Sequence, residues 1–99
     1  MPIRKDSRHH RFALGEFVVD PEGTELLSYA DCNLLIQRHA RGDWGRVNAE
    51  RKAMNDAFAH PKSRTQKATA QSVHVLKNIP VCILTRQDRG KRQTRLFLL

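Results

Sequence analysis

The stretch Val81-Cys82-Ile83-Leu84-Thr85 constrains the fold more than any other feature, because it is an apolar run with no polar alternation before its closing Thr. A strand with one wet face alternates polar and apolar residues, so an unbroken run of this length predicts a central strand, buried on both faces or covered by helices. Residues 72–77 on one side are Val-rich and alternating, and residues 94–99 on the other end in Leu96-Phe97-Leu98-Leu99. Asn78-Ile79-Pro80 and the segment around Asp88 and Gly90 supply turn residues between them. Three β-prone runs with short polar connections predict an antiparallel meander, in which the run at residues 94–99 forms an edge strand carrying Arg95 against edge-to-edge pairing.

Upstream the pattern is helical. Ser28 stands three residues before Asp31, the spacing of a capping box, with Leu27 and Cys32 at the positions of a hydrophobic staple. Leu35, Ile36 and His39 follow at helical spacing and Gly42 is a natural stop, which predicts a helix over residues 29–41. Asn48 is a competent N-cap for a second helix reaching about Ala59, with Val47, Met54, Ala57 and Phe58 on its apolar face. Before the first helix, Glu16-Phe17-Val18-Val19 reads as a short strand entered through Gly15 and stopped by the turn Asp20-Pro21-Glu22-Gly23. Residues 62–71 are read as a polar loop. The expected architecture is α+β: two helices packed on a small antiparallel sheet, made of a C-terminal three-stranded meander plus a short N-terminal strand. Residues 1–11 are expected to be a disordered basic arm and residues 12–99 a single domain.

Charge is segregated along this framework. The formal net charge of +8 over 99 residues divides into +3 for residues 1–11, −5 for residues 12–37, +2 for residues 38–60 and +8 for residues 61–99. In the last block Asp88 is the only acid, among Arg86, Arg89, Lys91, Arg92 and Arg95. A basic hairpin of this kind, extended by Lys62, Arg64 and Lys67, suits the phosphate backbone of a nucleic acid, in a sequence-tolerant and salt-dependent way, or an acidic protein. Base readout is not apparent, since there is no recognition-helix pattern and no exposed aromatic interleaved with the cations. The competing class is a protein-protein interaction or homodimerising accessory module with no nucleic-acid role, a homodimer forming through residues 96–99 or the helical layer.

Two Cys fifty positions apart, each in an apolar stretch, read as buried reduced thiols. No apolar run approaches the ~18 to 20 residues of a membrane span and no signal sequence is visible, so the chain is expected to be cytoplasmic, with no membrane partner. The five His and two Cys lack metal-ligand spacing, and no phosphate-binding Gly loop or nucleophile arrangement stands out. No metal and no cofactor are expected, and the chain is read as not an enzyme.

Several stretches together resemble a family of small bacterial proteins of plasmids and other mobile elements. The matching residues are Leu14-Gly15-Glu16 with Val18-Val19, Arg38-His39 followed by Gly42-Asp43-Trp44-Gly45, Met54-Asn55-Asp56-Ala57, and Ile83-Leu84-Thr85 with Asp88-Arg89. Their order and spacing match over residues 14–98, and the R-H-x-x-G-D-W-G stretch is the most specific element. This chain departs from the pattern at Arg86, where an acid is usual, at Cys82, where an aromatic is usual, and in the basic insert Gly90-Lys91-Arg92-Gln93. Members are sometimes labelled a restriction-modification subunit. That label fails here, because a methyltransferase needs a cofactor-binding α/β sheet that one short meander cannot supply. An acidic DNA mimic has the wrong sign of charge. The resemblance implies no biochemical activity, and it singles out a polar set: Arg38, His39, Asp43, Trp44, Asn55, Asp56, Thr85 and Asp88. A functional reading gathers His39 as acid or base, Asp43 and Asp56 as carboxylates and Arg89 as an anion clamp. A structural reading has His39 capping the first helix, Asp43 closing a turn, Trp44 plugging the core, Asp56 pairing with Arg89 or Lys52, and Asp88 shaping a hairpin.

Overall fold

A computed structural model describes residues 12–59 and 67–99. The expected basic arm of residues 1–11, and Lys62 and Arg64, lie outside the described residues. In chain order the elements are β1 (Glu16–Val19), α1 (Pro21–Leu26), α2 (Tyr29–Ala40), α3 (Ala49–Phe58), β2 (Lys67–Leu76), β3 (Ile79–Asp88) and β4 (Lys91–Leu98). The fold class is α+β as expected, with two differences. The described residues form three helices, because the chain after Asp20 winds into α1 with Pro21 at its first turn, where a missing N–H costs nothing. The sheet is mixed: its order is β1-β4-β3-β2, the meander is antiparallel, and β1 pairs parallel with β4, Glu16 opposite Gln93 and Val19 opposite Leu96. β4 is therefore an inner strand rather than an edge, and β1 occupies the side that a terminal-strand dimer would use between Gln93 and Leu96.

The helix caps follow the sequence. Ser28 Oγ accepts from Asp31 N and Asp31 Oδ2 accepts from Ser28 N, both at 3.1 Å, closing the capping box. Asn48 Oδ1 accepts from Arg51 N at 2.7 Å, and Gly42, at φ +85°, ends the turn after α2. α2 buries Cys32, Leu35, Ile36, His39 and Ala40 in a regular i, i+3, i+4, i+7 stripe. With Leu27, Val81, Ile83 and Leu96, its apolar members Cys32, Leu35 and Ile36 make the main core. A second cluster joins Trp44, Phe58, Ala59 and Ala70, with Phe12 and Val47 against it. α3 is rotated from the expected stripe: Asn55 and Phe58 are buried, whereas Met54 and Ala57 are exposed. The cause is polar, because Asn55 turns inward to bond β2.

The strand boundaries also move. β2 starts at Lys67, within the expected loop, and β3 spans ten residues. The first hairpin turns at Lys77 and Asn78, φ +53° and +64°, and the second at Arg89 and Gly90, φ +50° and +82°. Two consecutive residues of positive φ are the mark of the two-residue turns that match strand twist. Pro80, expected in the first turn, lies instead in β3. Its carbonyl accepts from Leu99 N at 3.1 Å, so its missing N–H faces the end of β4 and no bond with β2 is lost.

The free edge of β2 is closed by the rest of the chain. Val73 N donates to Trp44 O at 3.0 Å and Arg46 N donates to Val73 O at 2.7 Å, a parallel bridge centred on Gly45. Gly45 has φ +66°, and a Cβ there would collide with the Val73 carbonyl, so only Gly lets the backbones approach this closely. Next to it, Asn55 Nδ2 donates to Gln71 O at 2.6 Å and Asn55 Oδ1 accepts from Gln71 N at 2.9 Å. A helix side chain thus does the work of a fifth strand at Gln71.

Candidate nucleic-acid interface

The matched polar residues divide into an inner group that holds the molecule together and an outer group on the meander. His39, fully buried, lies between two hydroxyls: Nδ1 is 2.7 Å from Ser72 Oγ and Nε2 is 2.8 Å from Thr85 Oγ1. Thr85 Oγ1 is 2.7 Å from Thr94 Oγ1, and Thr94 donates to the Leu14 carbonyl at 2.6 Å. Only one arrangement of protons satisfies this chain. Thr94 spends its proton on Leu14 O, so it accepts from Thr85; Thr85 then accepts from Nε2–H, and Nδ1 accepts from Ser72. The ring is the neutral Nε2–H form. Burial, with a smaller contribution from His74, pushes its pKa down to about 3. His39 therefore ties α2 to β2, β3 and, through Thr94, to β4, rather than capping the end of α2. Phe12 packs edge-on against its ring at 5.4 Å and stacks on Trp44 at 5.9 Å.

Trp44 is buried, as the structural reading expects, and its Nε1 donates to Asp56 Oδ1 at 2.9 Å. Asp56 thus accepts the Trp44 indole N–H, a contact the sequence reading did not assign to it. Asp43 Oδ1 accepts from Gly45 N at 3.2 Å, closing the turn. Arg38 is exposed and contributes its carbonyl to Asp43 N. The R-H-x-x-G-D-W-G stretch is therefore a corner that joins α2 to the edge of β2. His39, Trp44, Asn55 and Thr85 are all buried, and no arrangement of them faces a cleft.

The outer group sits on β3 and β4. The buried helical packing falls on the sheet face carrying Ala70, Ser72, Val81, Ile83, Thr85, Thr94 and Leu96; by alternation the other face carries the intervening residues, of which Thr69 accepts from Arg51 of α3 at 3.2 Å. Registers order that second face in rungs. Val75 and Pro80 lie at one end with Leu99 beside them; next come Val73, Cys82 and Phe97; then Gln71, Leu84, Arg95 and Val18; then Thr69, Arg86, Gln93 and Glu16; and finally Asp88 and Lys91. The face is apolar at the first hairpin and charged at the second. Arg86, Lys91 and Arg95 project from it, Arg89 and Asp88 are exposed at the tip, and Arg46 and Arg51 line a recess of about 280 Å³ at its β2 border.

Among the described residues, Arg86, Arg89 and Lys91 have no ion-pair partner, while Arg95 Nε lies 3.6 Å from Asp20 Oδ1. Arg92 departs from the expected basic cluster. It points to the helical side, half-buried, where it donates to Ala13 O at 2.8 Å and to Gln87 Oε1 at 2.8 Å and lies 4.8 Å from the Phe58 ring centroid. Desolvation there pushes its pKa down, and its place is structural. Lys67 pairs in register with Asp88.

Cys32 and Cys82 are free and buried on opposite faces, with burial raising both thiols, and Gln71 Nε2 lies 3.2 Å from Cys82 Sγ. Among the described residues, no three His, Cys, Asp or Glu are grouped to hold a metal ion, and no helix is long and apolar enough to cross a membrane. Sequence reasoning missed Phe97 and Gln71 as surface residues, since an apolar run and a polar stretch conceal the open face they share. No family model, curated protein or solved structure matches the chain.

Proposed function

We propose that the protein is a non-enzymatic binding module whose β3–β4 hairpin contacts the phosphate backbone of nucleic acid. The observation that supports this reading most directly is the unpaired state of Arg86, Arg89 and Lys91, three exposed cations at one end of the sheet with no ion-pair partner among the described residues. Unneutralised cations held on a rigid hairpin release counterions from a polyanion at little ordering cost. Burial of the His39 chain favours binding over catalysis, because the imidazole that the functional reading casts as acid or base is fully buried.

The test variant carries Arg86→Ala, Arg89→Ala and Lys91→Ala together; Arg92 is left in place because its bonds are structural. Electrophoretic retardation or anisotropy at ~50 mM salt is expected to show binding by the parent and a loss of about tenfold or more in the variant, with the slope of log K against log salt reduced by about 2 to 3. Equal slopes in the two proteins defeat the assignment.

Self-association through the helical layer is a second reading with its own observation. Tyr29 and Leu34 are exposed at a recess of about 560 Å³ along α2, Leu26 is exposed on α1, and the buried Asn33 Oδ1 in the recess has no hydrogen-bond partner among the described residues. Sedimentation over a hundredfold range of concentration, with Leu34→Glu as the comparison, is expected to show a dimer that the Glu disrupts; a monomer throughout excludes it.

A further inference from the structure

We propose that the ligand of this module is single-stranded nucleic acid, lying along the open sheet face with a base stacked on Phe97; this rests on the backbone-contact reading above and names its substrate class. The alternation of β4 puts Phe97 on the same face as Arg95, one rung away, and among the described residues no helix packs its core across that face. Phe97 is half-buried, held by neighbours and open to one side, with Val73 and Cys82 beside it in the same rung. A rigid aromatic flanked by aliphatic side chains is what an unpaired base stacks on, and every base has a π-face to offer.

The cations continue from it in order. Arg95, Arg86 and Lys91 occupy three successive rungs toward the second hairpin, and rungs on one face are about 6.8 Å apart, two residues of strand rise. That ladder repeats at a spacing comparable to successive phosphates of an extended single strand. Gln93, exposed in the rung of Arg86, offers its amide to base edges or sugars, while the Gln71 amide in the rung of Arg95 is held 3.2 Å from Cys82 Sγ. Duplex fits this surface less well, since its bases are stacked inside and cannot reach Phe97, while the face offers no helix or ribbon to enter a groove.

The experiment compares a fluorescein-labelled oligothymidylate of about twelve nucleotides with a duplex of the same length, at ~50 mM salt, for the parent, Phe97→Leu and Phe97→Tyr. The parent is expected to bind the single strand at least several-fold more tightly than the duplex. Phe97→Leu keeps an apolar side chain and is expected to weaken single-strand binding roughly tenfold while leaving duplex binding and the salt slope unchanged; Phe97→Tyr retains the parent affinity. Thermal unfolding of each variant, followed through Trp44 fluorescence, shows that the fold persists. Equal binding by the parent and Phe97→Leu, or duplex bound as tightly as single strand, overturns the single-strand assignment and leaves backbone contact standing. Absence of binding to either probe overturns both readings.

Discussion

Replacing Asn55 with Ala is expected to lower the free energy of unfolding by about 2–4 kcal/mol, a large share of the ~5–15 kcal/mol that holds a domain together. The loss does not come from packing. Asn55 is fully buried and its amide satisfies both the N–H and the C=O of Gln71 on the outer side of β2. Truncation leaves both backbone groups with no partner, at about 1–3 kcal/mol apiece. Asn55→Asp sharpens the test, because it keeps the shape and an acceptor for the Gln71 N–H but sets an oxygen against the Gln71 carbonyl. It should therefore be at least as damaging as Ala at neutral pH. Urea denaturation of the three proteins checks this, and a loss under ~0.5 kcal/mol for both variants shows that the pairing contributes little. Release of the edge is also expected to make unfolding concentration-dependent, since an unpaired strand edge is a template for another chain.

The second large effect is acid sensitivity well above the carboxylate range. His39 is neutral in the folded chain with its pKa pushed down to about 3, against 6.5 for an exposed imidazole. As pH falls below 6.5 the unfolded chain takes up a proton that the folded chain refuses until about 3, so stability is present in full above 6.5 and declines between those values. At about 1.4 kcal/mol per pH unit, moving from pH 7.5 to pH 5 removes roughly 2 kcal/mol, or on the order of 10 °C in thermal midpoint. His74, also buried and shifted down chiefly by desolvation, acts in the same direction. Asp31, lowered by its bonds with Lys77 and Ser28, acts only at more acid pH, near and below the ordinary carboxyl value of 3.8. His39→Gln should start from a less stable protein and show a flatter decline between pH 7 and 5. A parent protein equally stable at both would exclude a buried neutral ring.

Local chemistry was readable in the sequence where the responsible residues are neighbours. The capping pair Ser28 and Asp31, the Asn48 cap, the Gly42 stop and the central position of β3 rest on spacings of a few residues, and the structure holds each of them. What was not readable is set by distant partners. The pairing of Glu16 with Gln93 joins residues nearly a chain apart, and nothing in Glu16–Val19 says parallel rather than antiparallel. β2 reads as a loop at its start because Thr69 and Gln71 lie on the face opposite the main core and carry polar side chains, which bond Arg51 and Cys82. Asn55 broke the apolar stripe of α3 for the same kind of reason: its partner is the backbone of an edge strand. For the candidate interface, the cations were legible as a cluster, but their division was not. Whether Arg92 joins Arg86 or turns inward depends on which side of β4 an alternating position falls, and that register is fixed by the hairpin at Arg89 and Gly90.

The sheet order has a consequence for how the chain comes to be folded. β1 finds its ladder partner only in β4, and the buried Leu96 supplies part of the main core. Until residues 91–98 are added, β1 lacks the strand it pairs with, and Phe17 and Val19 lack the Thr94 and Leu96 that stand opposite them. Contacts of such long sequence separation are slow to form. A polypeptide stalled before residue 91 would be a substrate for chaperones and proteases, so that the cell receives either the finished domain or nothing lasting.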